Sequence, residues 1–162
     1  MELVFYPNKI LREKCEEVTD FDESLDKTVL DMFSIMYKKN GAGLAAPQVG
    51  IKKRIITVYT GEGPVAIINP EIIKKEGSET EEEGCLSFPN LFLKIKRVKK
   101  IKAEGQNTKG KRIEIDAAGF LARALQHEID HLNGILFIDR LGFWKKWRLH
   151  KKLKELKKSQ KI

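Results

Sequence analysis

The segment from residue 117 to residue 132 constrains the fold of this chain more than any other. Apolar residues recur there at intervals of three and four, from Ala117 through Leu125 to Leu132, which predicts an amphipathic helix. Asp116 is a candidate N-cap, and Gly134 stands where a left-handed residue commonly ends a helix. Because its apolar side must be covered, we expect this helix to lie inside the body of the protein.

The same helix carries the pattern His127-Glu128-Ile129-Asp130-His131, in a chain with three histidines. Two histidines four residues apart lie one turn apart and about 40° apart around a helix axis, so both imidazoles can bind one metal ion. Glu128 leans toward the same side, where it could accept a proton from a water on that metal. The alternative is a chance occurrence on an exposed polar helix, and the scarcity of histidine favours the metal site.

A catalytic metal site of this type needs three protein ligands and an open position. The longer pattern HExxHxxGxxH of one protease group is incomplete here, because Phe137 stands where its third histidine would be. His150 lies in a lysine-rich tail and is a poor candidate. Cys85, within Glu83-Gly84-Cys85-Leu86-Ser87, is followed by Phe88-Pro89, which predicts a turn that presents the thiol. From spacing alone, a metal ligand and a small buried side chain are equally good interpretations of Cys85.

The segment from residue 41 to residue 50 is a run of small residues that ends in a predicted turn. Its glycines allow another backbone to approach closely, and Gln48 offers an amide in an otherwise apolar run. A phosphate-binding loop is excluded, because no lysine with a following serine or threonine comes after the glycines. Taken alone, the segment could be no more than a tight packing contact.

Together, the three segments resemble the peptide deformylase family, whose motifs are GxGLAAxQ, EGCLS and QHExDHLxG in this order. Here the motifs lie at Gly41 to Gln48, Glu83 to Ser87 and Gln126 to Gly134. The resemblance extends from Tyr6-Pro7 to Asp139-Arg140, and no motif residue is altered. It implies a metal-dependent hydrolase that removes the formyl group from the N-terminal formylmethionine of newly synthesised proteins and releases formate.

The resemblance also implies the roles of the site residues. The metal ligands would be Cys85, His127 and His131. Ferrous iron is implied as the metal in the cell, although Zn²⁺, Ni²⁺ or Co²⁺ could occupy the same site. Glu128 would pass the water proton to the leaving amine, while the Gln48 amide and the backbone N–H of Leu86 would hold the developing oxyanion.

A substrate pocket is predicted beside the metal ligands. Phe120 and Ala124 precede His127 by seven and three residues, so they share its face and could line a pocket for the methionine side chain. Core packing explains them equally well. Arg123 could lay its aliphatic stem along the rim of this pocket. The Gly41–Gly43 segment and Gly84 could form two edges that accept an extended peptide as an added strand. The predicted substrate contacts are Ala42, Gly43, Gly84, Phe120, Arg123 and Ala124.

The remaining patterns predict an α+β fold in one catalytic domain of residues 1–162. Asp22 or Ser24 can cap an N-terminal amphipathic helix that ends near residue 40. β-branched runs joined by short turns predict antiparallel sheets packed around the HExxH helix. The predicted strands are residues 54–59, 65–73, 91–104 and 111–115. The acidic run at residues 79–83 is predicted to be a solvated face near a turn, with Glu83 as the exception because it belongs to the EGCLS motif.

Length and composition agree with this fold. A chain of 162 residues with 41% hydrophobic content can bury a real core. Two cysteines make no disulfide framework, and Cys15 is expected to be a packing or surface residue. Neither a signal peptide nor an apolar run of membrane-spanning length is visible, so we expect a cytoplasmic enzyme without a membrane partner.

The charge of the chain is concentrated at its C-terminal end. Residues 144–162 hold nine of the 31 basic residues and one of the 23 acidic residues, which leaves 22 of each in residues 1–143. Leu149, Leu153 and Leu156 are four and three apart, so residues 144–162 are predicted to form a basic C-terminal helix that docks through its leucines. The excess charge favours RNA as a partner, and the resemblance implies contact with the ribosome.

Two other functions fit parts of the pattern. A metallopeptidase would share the HExxH motif, but the absent third histidine and the EGCLS cysteine argue against it. A non-enzymatic RNA-binding protein with a structural metal would normally close all four metal positions with protein ligands, whereas three are visible here.

Overall fold

The computed structural model describes residues 1–159, apart from the side chains of residues 150–152 and 155–159. Its helices are α1 (Glu23–Lys38), α2 (Gly119–Leu132) and α3 (Phe143–Ser159). Its strands are β1 (Gly43–Ala45), β2 (Ile55–Tyr59), β3 (Pro64–Glu76), β4 (Glu79–Cys85), β5 (Phe88–Arg97), β6 (Lys100–Gln106) and β7 (Arg112–Ala118). Short 3₁₀ helices are Lys9–Arg12, Ala46–Val49 and Phe137–Arg140. The α+β prediction is confirmed.

In the described part of the chain, the strands form two antiparallel sheets. The larger sheet has the order β1-β2-β3-β6-β7, and each neighbouring pair is antiparallel. The smaller sheet pairs β4 with β5 across the turn at residues 86–87. Leu44 of β1 pairs with Thr57 of β2, so the small-residue segment forms an edge of the larger sheet.

Helix α2 lies between the two sheets. Leu125 and Leu132 pack into a buried cluster with Ile56 of the larger sheet. Toward the smaller sheet, Arg123 of α2 donates a hydrogen bond to the carbonyl oxygen of Ile95 in β5 at 2.9 Å. Each buried leucine contributes roughly 1.5–3 kcal/mol through the removal of its apolar surface from water. The prediction of antiparallel sheets around the HExxH helix is therefore confirmed.

Helix α1 begins at the predicted cap. Oδ1 of Asp22 accepts hydrogen bonds from the backbone N–H groups of Ser24 at 3.0 Å and Leu25 at 3.1 Å. The apolar side of the helix, including Val29 and Met32, joins a buried cluster with residues of β1 and β2. This cluster covers the face of the larger sheet that α2 leaves open.

The predicted start of α2 was wrong, whereas its end was correct. Asp116 is the fifth residue of β7 rather than an N-cap, and the capping residue Ala118 makes no side-chain hydrogen bond. Gly119 has φ +56°, which lets the strand turn directly into the helix. At the other end, Gly134 has φ +70° and ends the helix as expected.

Two strand predictions also differ from the structure. The predicted strand 91–104 is two strands, β5 and β6, separated by Val98 and Lys99. The acidic run 79–83 belongs to β4, in register with Ile95 and its neighbours in β5. A two-stranded sheet leaves much of its surface in water, so exposed glutamates are compatible with a strand there.

Cys15 belongs to the core, in agreement with the packing alternative. It is 4% exposed, and its backbone N–H donates to the carbonyl oxygen of Leu132 at 2.8 Å. Burial raises the pKa of this thiol to about 11, against a smaller opposite effect of Arg54. Cys15 is therefore a protonated packing residue at neutral pH.

Helix α3 docks on the protein through two leucines. Leu149 and Leu153 are buried in a cluster that includes Leu11 and Ile138. The third predicted docking residue, Leu156, lies outside the described side chains, as does His150. Among the described residues, no helix has both the length and the apolar character that crossing a membrane requires.

Candidate active site

The three predicted metal ligands come together at one point. Helix α2 supplies His127 and His131 one turn apart, and the end of β4 supplies Cys85, 46 positions before His131. Nε2 of His131 lies 3.3 Å from Sγ of Cys85 and 3.2 Å from Nε2 of His127. The three donor atoms all lie within 4.8 Å of one another, a separation that one metal ion can bridge.

A buried carboxylate orients His127. Nδ1–H of His127 donates to Oε1 of Glu83 at 2.6 Å, which leaves Nε2 directed toward His131. Glu83 also accepts hydrogen bonds from Arg97 at 2.6 and 3.0 Å and from Arg123 at 3.0 Å. Burial would raise the pKa of Glu83, but the hydrogen bonds from His127 and Arg97 outweigh burial and hold that pKa well below its usual range. Glu83 is therefore an anion that fixes the orientation of the imidazole.

This ion-pair network continues through α2 to the 3₁₀ helix Phe137–Arg140. Arg97 donates to Oδ2 of Asp130 at 2.5 Å, and Arg140 donates to both carboxylate oxygens of Asp130 at 2.5 and 3.0 Å. A buried guanidinium needs such partners, because an unpaired charge in the interior is costly. Arg97 was not predicted from the sequence, because no local pattern of residues marks it. Asp130 was assigned no role, although it lies within the third motif.

Glu128 is buried beside Cys85, His127 and His131, the three candidate metal ligands, which we call the ligand cluster. It also packs against the backbone of β1. A Cβ atom added at Gly43 would lie 2.6 Å from Oε1 of Glu128. Oε2 of Glu128 has no hydrogen-bonding partner among the described residues. Burial is the main cause that raises the pKa of Glu128 to about 7. A buried carboxylate that titrates near neutral pH is suited to accept and return a proton.

Gln48 is held with its donor end toward the site. Oε1 of Gln48 accepts the backbone N–H of Ala45 at 2.8 Å, which fixes the orientation of the amide. Its Nε2 lies 3.3 Å from Oγ of Ser87 and 3.5 Å from Sγ of Cys85. The adjacent residue Leu86 follows β4 in the turn. The amide therefore faces the ligand cluster with donor hydrogens.

A cavity of about 580 Å³ opens beside the ligand cluster. Its lining includes Glu128, Gln48 and Leu86. Ala124 is buried within it, whereas Phe120 is 69% exposed and lies at its edge. The cavity also contains every predicted substrate contact: Ala42, Gly43, Gly84, Phe120, Arg123 and Ala124. A single cavity thus joins the ligand cluster to the predicted substrate contacts.

Arg123 lies deeper than predicted. Its side chain is 5% exposed rather than extended along a solvated rim, and Nη1 donates to Glu83 and to the carbonyl oxygen of Ile95. The reason is electrostatic, because Glu83 and a backbone carbonyl offer the guanidinium partners inside the protein. Arg123 still lines the cavity, but as part of its wall.

Comparison with known proteins assigns the family. The family model described as polypeptide deformylase matches residues 1–147. The chain belongs to the peptide deformylase family. Peptide deformylase from Thermotoga maritima is 48% identical over 157 residues, which is 96% of each chain. Peptide deformylase from Thermodesulfovibrio yellowstonii is 44% identical over 162 aligned positions, with 97% of this chain and 98% of the relative covered.

Solved deformylase structures share the complete fold. A crystal structure of a peptide deformylase from Legionella pneumophila superimposes with a TM-score of 0.90 at 39% identity, covering 98% of this chain and 96% of that one. Peptide deformylase 1B from Arabidopsis thaliana, in complex with an inhibitor, gives a TM-score of 0.93 at 38% identity and covers 98% and 91%. The likeness therefore includes both sheets and the central helix.

Membership of the family establishes the reaction. As a peptide deformylase, the protein is a metal-dependent hydrolase that removes the N-formyl group from the formylmethionine of newly synthesised chains. The Cys85, His127 and His131 group supports a bound metal. Neither the family nor its solved structures support a metallopeptidase or a non-enzymatic RNA-binding protein.

Proposed function

We propose that Cys85, His127 and His131 hold the metal of this deformylase and that deformylation takes place in the cavity beside them. The observation that carries this proposal is the convergence of the three donor atoms within 4.8 Å. Donors bound to one metal at about 2.0–2.3 Å lie roughly 3.3–3.6 Å apart in a tetrahedral site, close to the 3.2 and 3.3 Å separations here. The residues therefore fit a metal.

We propose ferrous iron as the metal in the cell. The support is the resemblance to the family, since a cysteine and two histidines also suit Zn²⁺, Ni²⁺ and Co²⁺. Metal analysis of protein purified without oxygen from its native cells tests this choice. Zinc at full occupancy in such protein would contradict it.

The proposed proton transfers depend on Glu128. When bound, a divalent metal acts as a Lewis acid that lowers the pKa of water. Glu128 accepts the proton of the water whose oxygen attacks the formyl carbon, and it then gives that proton to the leaving nitrogen as the C–N bond breaks. The products are formate and a peptide with a free amino terminus. The pKa of about 7 for Glu128 suits both transfers.

Gln48 and Leu86 are proposed to stabilise the negative charge that develops on the formyl oxygen. The Gln48 amide is already oriented, because its Oε1 is bound to the N–H of Ala45. A donor that is fixed in advance costs no reorganisation when the charge appears. The backbone N–H of Leu86, one residue beyond Cys85, is the second proposed donor.

The methionine side chain is proposed to enter the cavity between α2 and the smaller sheet. Ala124 and the stem of Arg123 offer wall surface, and Phe120 offers an exposed ring at the edge. Ala42, Gly43 and Gly84 are proposed to pair with the peptide backbone as an added strand. Contacts to the backbone explain how one enzyme can accept many different nascent chains.

Release of formate from formyl-Met-Ala-Ser tests the reaction and the ligand set together. Protein loaded with ferrous iron under anaerobic conditions should release formate rapidly. A Cys85→Ser variant should lose metal and activity, because its hydroxyl is a far weaker ligand than a thiolate. Full activity in Cys85→Ser would exclude Cys85 as a ligand.

We further propose that residues 1–162 act as one catalytic domain in the cytoplasm, with 144–162 as a basic helix that contacts the ribosome. Leu149 and Leu153 pack against the body of the protein, which supports one unit. The nine basic residues against one acidic residue in this segment favour a polyanionic surface such as ribosomal RNA.

Deleting residues 149–162 should weaken ribosome binding and reduce its dependence on salt. Because the deletion also removes Leu149 and Leu153, a second variant with Lys145, Arg148 and Lys154 changed to glutamine keeps the docking leucines. Both variants should still release formate from the short peptide. Salt-sensitive ribosome binding that is unchanged in both variants would exclude the basic helix as the contact.

A further inference from the structure

Three large aromatic side chains are exposed together at the start of α3. Phe143 and Trp144 are each 75% exposed, and Trp147 is 69% exposed. We call these three residues the aromatic patch. Single exposed apolar residues are common on protein surfaces, but neighbouring exposed aromatic rings commonly mark a binding surface. The deformylation site does not use the patch, since none of its residues lines the 580 Å³ cavity.

The aromatic patch lies on the side of α3 that faces away from the protein. At about 100° per residue, its three positions fall within roughly 100° of the helix surface, opposite Leu149 and Leu153. Those two leucines are 9% exposed and already packed, so the helix has a docked face and an open face. The ring centroids of Phe143 and Trp144 lie 5.4 Å apart in an edge-to-face contact, and both side chains remain largely exposed to solvent.

Unpaired positive charges surround the aromatic patch. Lys145, Arg148 and Lys154 are exposed, and none has a carboxylate within ion-pair distance among the described residues. Lys146 differs, because it pairs with Asp139 at 3.0 Å. A surface that combines open aromatic faces with free cations is complementary to a ligand with stacked planar groups and negative charge.

We propose that the aromatic patch stacks on unpaired bases of RNA while the neighbouring cations bind its phosphates. Stacking on aromatic side chains together with a basic track is how proteins hold single-stranded nucleic acid. A lipid surface fits less well, because the leucines that would enter it are buried against the protein. The inference rests on the proposed ribosome contact and adds that unpaired nucleotides, rather than phosphates alone, are recognised.

The two tryptophans of the chain both lie in the aromatic patch, so tryptophan fluorescence, excited at a wavelength where tyrosine does not absorb, reports on this surface alone. Metal-loaded full-length protein is titrated with a short single-stranded RNA, with linear polyphosphate, and with anionic phospholipid vesicles. Base stacking should quench tryptophan emission with RNA, and polyphosphate should bind without quenching. A blue shift with vesicles and no response to RNA would mean that the patch binds lipid, which overturns the proposal.

The affinity for fluorescently labelled RNA, measured by fluorescence anisotropy, separates the contribution of base stacking from that of charge. Trp144→Leu/Trp147→Leu keeps the apolar character and every charge, so affinity should fall about tenfold or more while the salt dependence is retained. Tyr37→Leu/Tyr59→Leu is the matched control, because it removes two exposed rings from elsewhere on the surface. Both double variants should release formate from a short peptide at the normal rate.

The outcomes distinguish this inference from the proposed ribosome contact. If the tryptophan variant binds RNA and ribosomes normally but the glutamine variant at Lys145, Arg148 and Lys154 does not, the contact is purely electrostatic and stacking is excluded. If the tryptophan variant, the glutamine variant and the deletion of residues 149–162 all bind ribosomes normally, the ribosome contact itself fails. Loss of single-stranded RNA binding in the tryptophan variant, with duplex RNA unaffected, supports stacking on unpaired bases.

Discussion

Glu128 illustrates how a single side chain gains its chemistry from burial. It is not one of the three converging donors, and its Oε2 lacks a partner among the described residues. We therefore predict that Glu128→Ala keeps its metal but releases formate about 10²- to 10⁴-fold more slowly. Glu82→Ala, at an exposed glutamate of the same cavity, is the control and should be nearly normal. Near-normal turnover by Glu128→Ala would rule out the proton transfer role.

Gly43 is required because Glu128 occupies the space that a side chain would need. A methyl group in Gly43→Ala would lie 2.6 Å from Oε1 of Glu128, so the carboxylate must move. We expect formate release to fall about 10²-fold, since small misplacements of a catalytic group have effects of this size. Gly142→Ala adds the same methyl group where no atom lies within 4 Å, and it should be active. Equal activity of the two variants would show that the placement of Glu128 is not critical.

The roles of individual residues differ in how far they can be predicted from the sequence. Gln48 stands out in its motif, because a single polar amide in an otherwise apolar run indicates a specific role for that side chain. Arg97 could not be found, since its importance comes from Glu83 and Asp130, which the fold brings to it from other elements. The inward position of Arg123 has the same cause. Long-range pairing of charges leaves no periodic trace in a sequence.

Helices and strands were predictable to the extent that their apolar positions are periodic. Helix α1 and the end of α2 follow a regular spacing and have a recognisable cap and stop residue. Strand β4 was missed, because its acidic run shows no alternation of apolar and polar residues. The division between β5 and β6 was missed as well, since neither glycine nor proline marks the turn at residues 98–99.

The end of α2 depends on a glycine for two separable reasons. Gly134 has φ +70°, and a Cβ there would lie 2.4 Å from the carbonyl oxygen of Arg12. Gly119, at the start of the same helix, has φ +56° but no atom within 4 Å. Gly119→Ala should therefore cost about 1 kcal/mol of unfolding free energy from backbone strain alone, and Gly134→Ala substantially more. Urea unfolding measures both, and equal losses would mean that the close contact with Arg12 is relieved at no cost.

Segments far apart along the chain are joined by Asp139. Its carboxylate binds Arg12 near the N-terminus and Lys146 of α3, and it accepts the backbone N–H of Leu136. Burial would raise the pKa of Asp139, but these hydrogen bonds outweigh burial and lower that pKa below its usual range. The N-terminal segment, the 3₁₀ helix Phe137–Arg140 and α3 thus share one charge-dependent contact.

The stability that Asp139 provides should depend on pH with a definite sign. Its pKa in the folded protein lies below the unfolded value of about 3.9, so the carboxylate stabilises the fold above that pH and loses this effect as pH falls through the folded pKa. Asp139→Asn should be about 1–2 kcal/mol less stable near neutral pH, and the gap should close in acid. Thermal unfolding across pH measures the gap, with Asp31→Asn on α1 as control. A gap that stays constant in acid would contradict this account.

The two cysteines of the chain differ in their access to solvent. Cys15 is sealed in the core with its pKa raised to about 11, whereas Cys85 opens onto the cavity where the metal is proposed to bind. An alkylating reagent should therefore find no reactive sulfur in the loaded folded protein and one per molecule after the metal has left. Mass spectrometry of the labelled sample would then give the fraction of enzyme molecules that lack metal, without any substrate.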